Sequence, residues 1–69
     1  MDAIHALQYF NSPDGPHISV EKLAIYCGIN ENTMRDYIKE RYKPTPAKLA
    51  QIEKGLTDMM REMHTEWHT

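Results

Sequence analysis

The sequence predicts an all-α fold of four or five short helices, and two observations lead to this prediction. Apolar residues recur three and four positions apart through most of the chain, which is the period of an amphipathic helix. No segment shows the strict alternation of apolar and polar residues that is typical of a half-buried strand. A chain of 69 residues buries only a small core, so we expect one domain over residues 1–69.

The first helix is expected to follow Asp2, because aspartate is a common helix N-cap. Its inward side chains would be apolar residues at helical spacing: Ala3, Ile4, Leu7 and either Tyr9 or Phe10. Residues 11–16, NSPDGP, contain two prolines and a glycine and predict a loop.

Residues 18–43, ISVEKLAIYCGINENTMRDYIKERYK, predict two short helices joined by a tight turn. Ser19 is a favourable N-cap for the first of them, and Gly28 suits its C-terminal end, where a left-handed residue is wanted. Asn30 is then expected to cap the second helix, whose apolar stripe would be Met34, Tyr37 and Ile38.

A further helix is predicted to begin at Thr45 as cap, with Pro46 in the first helical position. An apolar stripe follows at steps of three and four residues: Leu49, Ile52, Leu56, Met59, Met63 and Trp67. Gly55 interrupts it at a cost of about 1 kcal/mol relative to alanine. Thr57 and Asp58 could cap a separate fifth helix, so residues 46–67 fit either one long helix or two.

Composition favours an intracellular protein. A single cysteine, Cys27, excludes an internal disulfide and suits a reducing compartment. Residues 1–10 lack the basic start and apolar run of a secretory signal, and no segment approaches the roughly 20 apolar residues of a membrane span. We therefore expect a cytoplasmic protein with no membrane partner.

Charge is unevenly distributed along the chain, although the total is only −2. Residues 30–48 carry five basic and three acidic side chains, for a net charge of +2, whereas residues 1–29 and 49–69 each carry a net charge of −2. The positive charge therefore lies on the second helix of the central segment and in the loop after it. This modest excess predicts weak non-specific DNA affinity, so that specific contacts and dimerisation would have to add to it.

The central segment has the spacing of a helix-turn-helix unit, which needs a small residue where its helices cross and a glycine in the turn. Ala24 occupies the small position, and Gly28 follows four residues later. Apolar residues stand at the points that would hold the second helix in place: Leu23, Cys27, Ile29, Met34 and Tyr37.

On these residues, the segment LAIYCGINENTMRDYIKERYKPTPAKLAQIEKGL, within residues 18–56, resembles the helix-turn-helix of phage Cro and lambda-type repressors. The resemblance implies a lambda-repressor-like bundle whose third helix enters the major groove, usually from a homodimer. Where that family often has Gly-x-x-x-Pro-Ser, this chain lacks the glycine and reads Glu40-Arg41-Tyr42-Lys43-Pro44-Thr45. Met34-Arg35-Asp36-Tyr37 and Tyr42-Lys43-Pro44-Thr45-Pro46 are similar to motifs of anti-CRISPR-associated phage autoregulators.

The N-terminal end of such a third helix reads base edges. The candidate base-reading residues are the polar positions of its first two turns: Glu31, Asn32, Thr33, Arg35 and Asp36. Asn32 can bond adenine, Arg35 guanine and Glu31 the N4 amine of cytosine, while Thr33 can touch a thymine methyl group or a phosphate. The alternative is a solvated polar face, which suits the two acids because the DNA backbone would repel them.

The residues after this helix are better placed for phosphates, which set the position of the protein without reading sequence. These candidates are Lys39, Arg41, Tyr42 and Lys43, and Ser19 could contribute from the N-terminus of its helix.

Residues 57–69 are predicted to form a dimerisation helix or tail. The candidate interface residues are apolar: Leu56, Met59, Met60, Met63 and Trp67. Methionine and tryptophan are enriched at protein interfaces, and two half-sites one helical turn apart require two copies of the reading helix. The alternative is that these side chains fold back to cover the chain's own core.

No pattern in the sequence indicates catalysis. His64 and His68 could share a helix face, but no cysteine or acidic ligand completes a zinc spacing, and Cys27 is expected to be a small core residue. We expect no metal, cofactor or small-molecule substrate and no enzymatic activity.

The base-reading candidates and the resemblance predict a sequence-specific transcriptional repressor that acts as a homodimer on a palindromic operator in double-stranded DNA. The resemblance implies autoregulation and origin in a phage or other mobile element, and hence a protein associated with the nucleoid of a bacterial cell. The competing hypothesis is a helix-turn-helix protein-interaction module, such as an antitoxin or inhibitor without strong DNA binding. The acidic total charge and the acids Glu31 and Asp36 favour this second hypothesis.

Overall fold

The computed structural model describes residues 2–62, which form four helices and no strand. These are α1 (Ala3–Asn11), α2 (Val20–Cys27), α3 (Glu31–Ile38) and α4 (Pro46–Glu62). The predicted all-α fold is confirmed for this range. None of the four helices is long and apolar enough to cross a membrane.

All four helices begin at the caps that the sequence predicts. In each case a side-chain oxygen accepts a backbone N–H two or three residues later. The pairs are Asp2 with His5 (2.9 Å), Ser19 with Lys22 (3.2 Å), Asn30 with Asn32 (2.8 Å) and Thr45 with Lys48 (3.2 Å). Local side-chain chemistry thus sets every helix start.

Helix α2 ends in a Schellman motif at Gly28, whose φ of 64° lies in the left-handed region. The Gly28 N–H donates to the Ile25 carbonyl (3.2 Å), and the Ile29 N–H donates to the Ala24 carbonyl (3.0 Å). Ile29 is then buried in the turn before α3. The predicted tight turn between the two helices is therefore present.

Helix α3 ends with the same hydrogen-bond pattern, but without a glycine. Glu40 occupies the left-handed position with φ 57°, and its N–H donates to the Tyr37 carbonyl (3.0 Å). The Arg41 N–H donates to the Asp36 carbonyl (2.9 Å). Glu40 is the residue that stands where the resemblance leads one to expect a glycine.

The core lies between the helices, with α2 packed against α3 and α4, and α1 packed against α3 and α4. All four helices contribute apolar side chains to it, and its largest fully buried residues are Leu7, Leu23, Met34, Ile52, Leu56 and Met59. The predicted inward residues of the first helix are confirmed. Ala3, Leu7 and Phe10 are buried and Ile4 is partly buried against the core, while Tyr9, the alternative to Phe10, is 48% exposed.

Residues 46–62 form one helix, not two. The Thr57 hydroxyl bonds back to the Glu53 carbonyl (2.8 Å), so it does not cap a new helix. Gly55 is buried where α4 crosses α2, and a Cβ there would lie 2.6 Å from both Cα and Sγ of Cys27. The glycine that interrupts the apolar stripe therefore allows a close approach between these helices.

The apolar stripe of α4 belongs to the chain's own core, which corrects the predicted dimer interface. Leu56, Met59 and Met60 are 0%, 0% and 3% exposed, so they have no surface to offer a partner. The spacing could not separate the two roles, because a stripe that faces a core and one that faces a partner have the same period. Met63 and Trp67 lie outside the described residues.

Candidate nucleic-acid interface

Helix α3 is held by its apolar face and turns its polar face outward. Met34 and Tyr37 are buried, whereas Asn32 is exposed. The other predicted base-reading residues are half-buried on the same short helix: Glu31, Thr33, Arg35 and Asp36. None of the five lies in the core, so this face remains open to a ligand.

Two glutamines fasten the ends of α2 and α3 to the rest of the bundle. From α4, the Gln51 amide donates to the carbonyls of Cys27 (2.7 Å) and Gly28 (2.9 Å), at the C-terminus of α2. From α1, the Gln8 amide donates to the Ile38 carbonyl (2.8 Å), at the C-terminus of α3. Sequence reasoning missed both, because glutamine is common on solvated helix faces and nothing local marks these two.

Arg35 lies one helical turn after two side chains that hold its guanidinium. Its Nη2 is 2.7 Å from Oε2 of Glu31, and its Nη1 donates to Oδ1 of Asn32 at 3.1 Å. The pairs are four and three residues apart, which are the spacings that bring side chains together on a helix surface. Three of the five predicted base-reading residues therefore form a single hydrogen-bonded cluster.

Asp36 is also paired with an arginine. Its Oδ1 lies 3.4 Å from Nη1 of Arg41, which follows the end of α3. Both acids of the outer face of α3 thus have a basic partner within the chain, so their repulsion of an approaching polyanion is reduced. This pairing could not be read from the sequence, because Arg41 lies beyond the helix end, and only the turn at Glu40 brings it back.

The segment between α3 and α4 is exposed and basic. Its predicted phosphate-binding side chains Lys39, Arg41, Tyr42 and Lys43 all lie at the surface, with Tyr42 66% exposed. Ser19 is exposed at the start of α2, where its hydroxyl oxygen accepts the Lys22 N–H. A cationic side chain that sequence reasoning did not include, Lys48, is exposed in the first turn of α4.

A groove of about 610 Å³ runs between the N-terminal end of α1 and the α3–α4 segment. Ile4, Tyr37, Tyr42 and Leu49 give it an apolar lining, and Glu40 and Lys43 also line it. Near its rim, Asp2 accepts the backbone N–H of His5, and this hydrogen bond lowers the pKa of the carboxyl group. Helices α1 and α3 are distant in sequence, so periodicity alone could not predict the groove.

Cys27 is a core residue, as expected. Its thiol lies 3.7 Å from the Ile52 carbonyl, and burial raises its pKa to about 11. A thiol with this pKa stays protonated near neutral pH and is a poor nucleophile. Its neighbour Tyr26 donates its hydroxyl to the Glu62 carboxylate, and this bond raises the pKa of the phenol.

Within residues 2–62, no three histidine, cysteine or acidic side chains come together in a group that could hold a metal ion. His64 and His68 lie outside this range. Comparisons of the chain with protein-family models, with curated proteins and with solved structures gave no match.

Proposed function

We propose that this protein is a sequence-specific DNA-binding transcriptional repressor in which α2, the Gly28 turn and α3 form a helix-turn-helix. One observation carries the proposal. A short helix is pinned on one side by Met34 and Tyr37 and fastened at its end by Gln8, and it presents Asn32 and Arg35 outward from its first two turns. A rigid helix with amide and guanidinium groups near its N-terminus suits the base edges of the major groove.

The basic segment after α3 supports the same proposal. Lys39, Arg41 and Lys43 are exposed and directly continue the proposed recognition helix. Cations in this position would contact phosphates on either side of the groove and so set how the helix enters it. The pairing of Glu31 and Asp36 with arginines reduces the repulsion between these two acids and the DNA backbone.

The proposed repressor acts as a homodimer on a palindromic operator. Three charged phosphate contacts in each protomer are too few for tight binding by one copy, and two copies double them. The buried side chains Leu56, Met59 and Met60 are not part of the proposed interface. Origin in a phage or other mobile element and autoregulation are proposals that rest on the resemblance alone.

A second candidate function is a protein-interaction module without strong DNA binding. The net charge of −2 favours it, and so do the ion pairs that engage Arg35 and Arg41 within the chain. If these pairs persist in the presence of DNA, Lys39 and Lys43 are the predicted phosphate-binding cations that have no acidic partner among the residues that the structure describes.

The test is a selection of bound sequences from random duplex DNA, followed by mobility shifts on the selected site and on the DNA upstream of the protein's own gene. A repressor should enrich a palindrome. A dimer with three cationic contacts in each protomer should show a log–log salt slope of about −5, or roughly 10³-fold weaker binding between about 50 and about 200 mM salt. Absence of enrichment at low salt would reject the proposal in favour of the interaction module.

Two substitutions separate base reading from phosphate binding. Arg35→Ala should cost about 1–3 kcal/mol on the selected site and relax the preference at one base pair of each half-site. Lys43→Ala should weaken binding to all sequences alike and lower the salt slope by about one for each protomer. If Arg35→Ala binds the selected site as tightly as the wild type, α3 does not enter the groove as proposed.

A further inference from the structure

We infer that Glu31 is a positioning residue that holds the guanidinium of Arg35 ready to read guanine, and that it does not read cytosine itself. This inference rests on the proposed function and names the base that its central residue recognises. It replaces the simpler view that each polar side chain of α3 contacts its own base.

The geometry of the cluster supports this division of roles. Glu31 Oε2 and Asn32 Oδ1 lie 2.7 and 3.1 Å from the two terminal nitrogens of Arg35. Both anchors precede Arg35 by about one turn, so they hold the guanidinium against the N-terminal part of α3. A guanidinium carries five N–H donors, and two of them are used here. Three N–H donors therefore remain, and guanine can accept two of them, one at O6 and one at N7.

Ordering of the Arg35 side chain before binding should strengthen its contact with guanine. A free arginine side chain loses rotamer freedom when it docks on a base, and this loss weakens the contact. Glu31 and Asn32 restrict that freedom before DNA arrives. Loss of Glu31 should therefore reduce the preference for guanine even though Arg35 is still present.

Electrostatics argues against Glu31 as a reader of cytosine. Its Oε2 already accepts a hydrogen bond from Arg35 in a pair in which both partners are charged, whereas the N4 amine of cytosine is neutral. If Glu31 left Arg35 for the N4 amine of cytosine, it would also place an uncompensated negative charge near the phosphates. The pairing with Arg35 avoids both costs.

Glu53 provides a matched control. It is an exposed acid on α4 and lies outside the cluster of Glu31, Asn32 and Arg35. Glu53→Ala removes the same atoms and the same charge as Glu31→Ala but leaves the anchors of Arg35 in place. It should therefore raise the affinity for all sequences at most slightly and leave the base preference unchanged.

The experiment measures the affinities of the full chain for the selected operator and for versions with each other base at every position of a half-site, including the position that Arg35→Ala relaxes. The wild type should prefer guanine by roughly ten- to 100-fold. Glu31→Ala should lower this preference at least about fivefold. Glu31→Gln keeps an oxygen that can accept from Arg35, so it should retain more of the preference than Glu31→Ala. Thermal unfolding confirms that each variant is folded.

Two results would overturn the inference while leaving the proposed function intact. Glu31→Ala could keep the full guanine preference and bind every sequence more tightly, as expected for Glu53→Ala, which would make Glu31 only a repulsive surface charge. Alternatively, it could lose preference for cytosine at a different base pair, which would make Glu31 a reader itself. If the wild type enriches no sequence at all, the proposed function fails and the inference fails with it.

Discussion

Two helices end at a residue in the left-handed backbone region. Helix α2 ends at Gly28, before α3, and α3 ends near Glu40, before the basic segment that leads to α4. Gly28 and Glu40 have φ values of 64° and 57° and close the same type of hydrogen-bonded cap. Glycine adopts this conformation without strain, whereas an L-residue with a Cβ pays about 1–2 kcal/mol. The chain therefore stores strain at Glu40, next to the proposed phosphate-binding residues.

Glu40→Gly should increase the free energy of unfolding by about 1 kcal/mol, because it removes the Cβ from a left-handed position. Glu40→Ala is the matched control, since it removes the carboxylate and keeps the Cβ. Urea denaturation of both variants isolates the backbone effect as the difference between them. Equal stabilities for the glycine and alanine variants would show that Glu40 is not strained.

Cys27 makes stability depend on pH at the alkaline end. Burial raises its pKa to about 11 in the folded chain from an ordinary value of 9.0. The folded state therefore holds its proton more tightly than the unfolded state does. This contribution to stability is fully present below about pH 9 and is lost as the pH rises toward 11.

The wild type should therefore lose stability more steeply than Cys27→Ala between pH 9 and 11. Urea denaturation at several pH values, under reducing conditions, measures both slopes. The raised pKa of Tyr26 acts in the same direction, but it is common to both proteins and cancels in the comparison. Parallel pH profiles for the two proteins would contradict a raised thiol pKa.

At the scale of whole elements, α2 and α4 cross so closely at Gly55 that there is no room for a side chain at this position. Gly55 sits in the middle of α4, where alanine is the better helix former by about 1 kcal/mol. A Cβ at this position would meet the Tyr26 carbonyl oxygen at 2.8 Å and Cys27 at 2.6 Å. Most of these neighbouring atoms are backbone, so only a movement of the helices can relieve the clash.

Gly55→Ala should destabilise the protein by about 2 kcal/mol, because overpacking outweighs the gain in helix propensity. Lys54→Ala is the control, since Lys54 is exposed on the same helix and its loss should change stability by less than about 0.5 kcal/mol. Thermal unfolding of both variants tests the prediction. An increase in stability for Gly55→Ala would mean that α2 and α4 do not cross as closely as described.

At the scale of the whole molecule, the α4 stripe decides how the small core is filled. Residues 2–62 bury apolar side chains from all four helices, and Leu56, Met59 and Met60 supply a large part of the α4 contribution. A domain this small has few other apolar groups with which to cover α1 and α2. These three side chains therefore fill the chain's own core and do not form a surface for a partner.

Met59→Ala should lower the free energy of unfolding by about 2–5 kcal/mol, because Met59 is fully buried. The association state of the remaining folded protein should not change in sedimentation equilibrium. Ile25→Ala is the control, since this apolar side chain is 72% exposed and its loss should hardly affect stability. Weakened association by Met59→Ala without loss of stability would restore the predicted role of this residue at an interface.

The sequence alone was sufficient for the caps, the first three helices and the turn between α2 and α3, but it left open whether residues 46–67 form one helix or two. Asp2, Ser19, Asn30 and Thr45 act on backbone groups two or three residues away, and Gly28 acts on its own backbone angle. Such effects depend on residue type and short spacing, which a single sequence contains in full. The polar side chains of α3 could be placed on its outer face for the same reason.

Only the tertiary structure decided which of these side chains act together and which apolar residues are buried. Gln51 reaches Cys27 across 24 positions of the chain, and Gln8 reaches Ile38 across 30. Gly55 lies against Cys27 because α2 and α4 cross there, and Met59 is buried because α4 packs this face against the other helices. These outcomes depend on how helices are placed against one another, and a local pattern of residue types does not contain that placement.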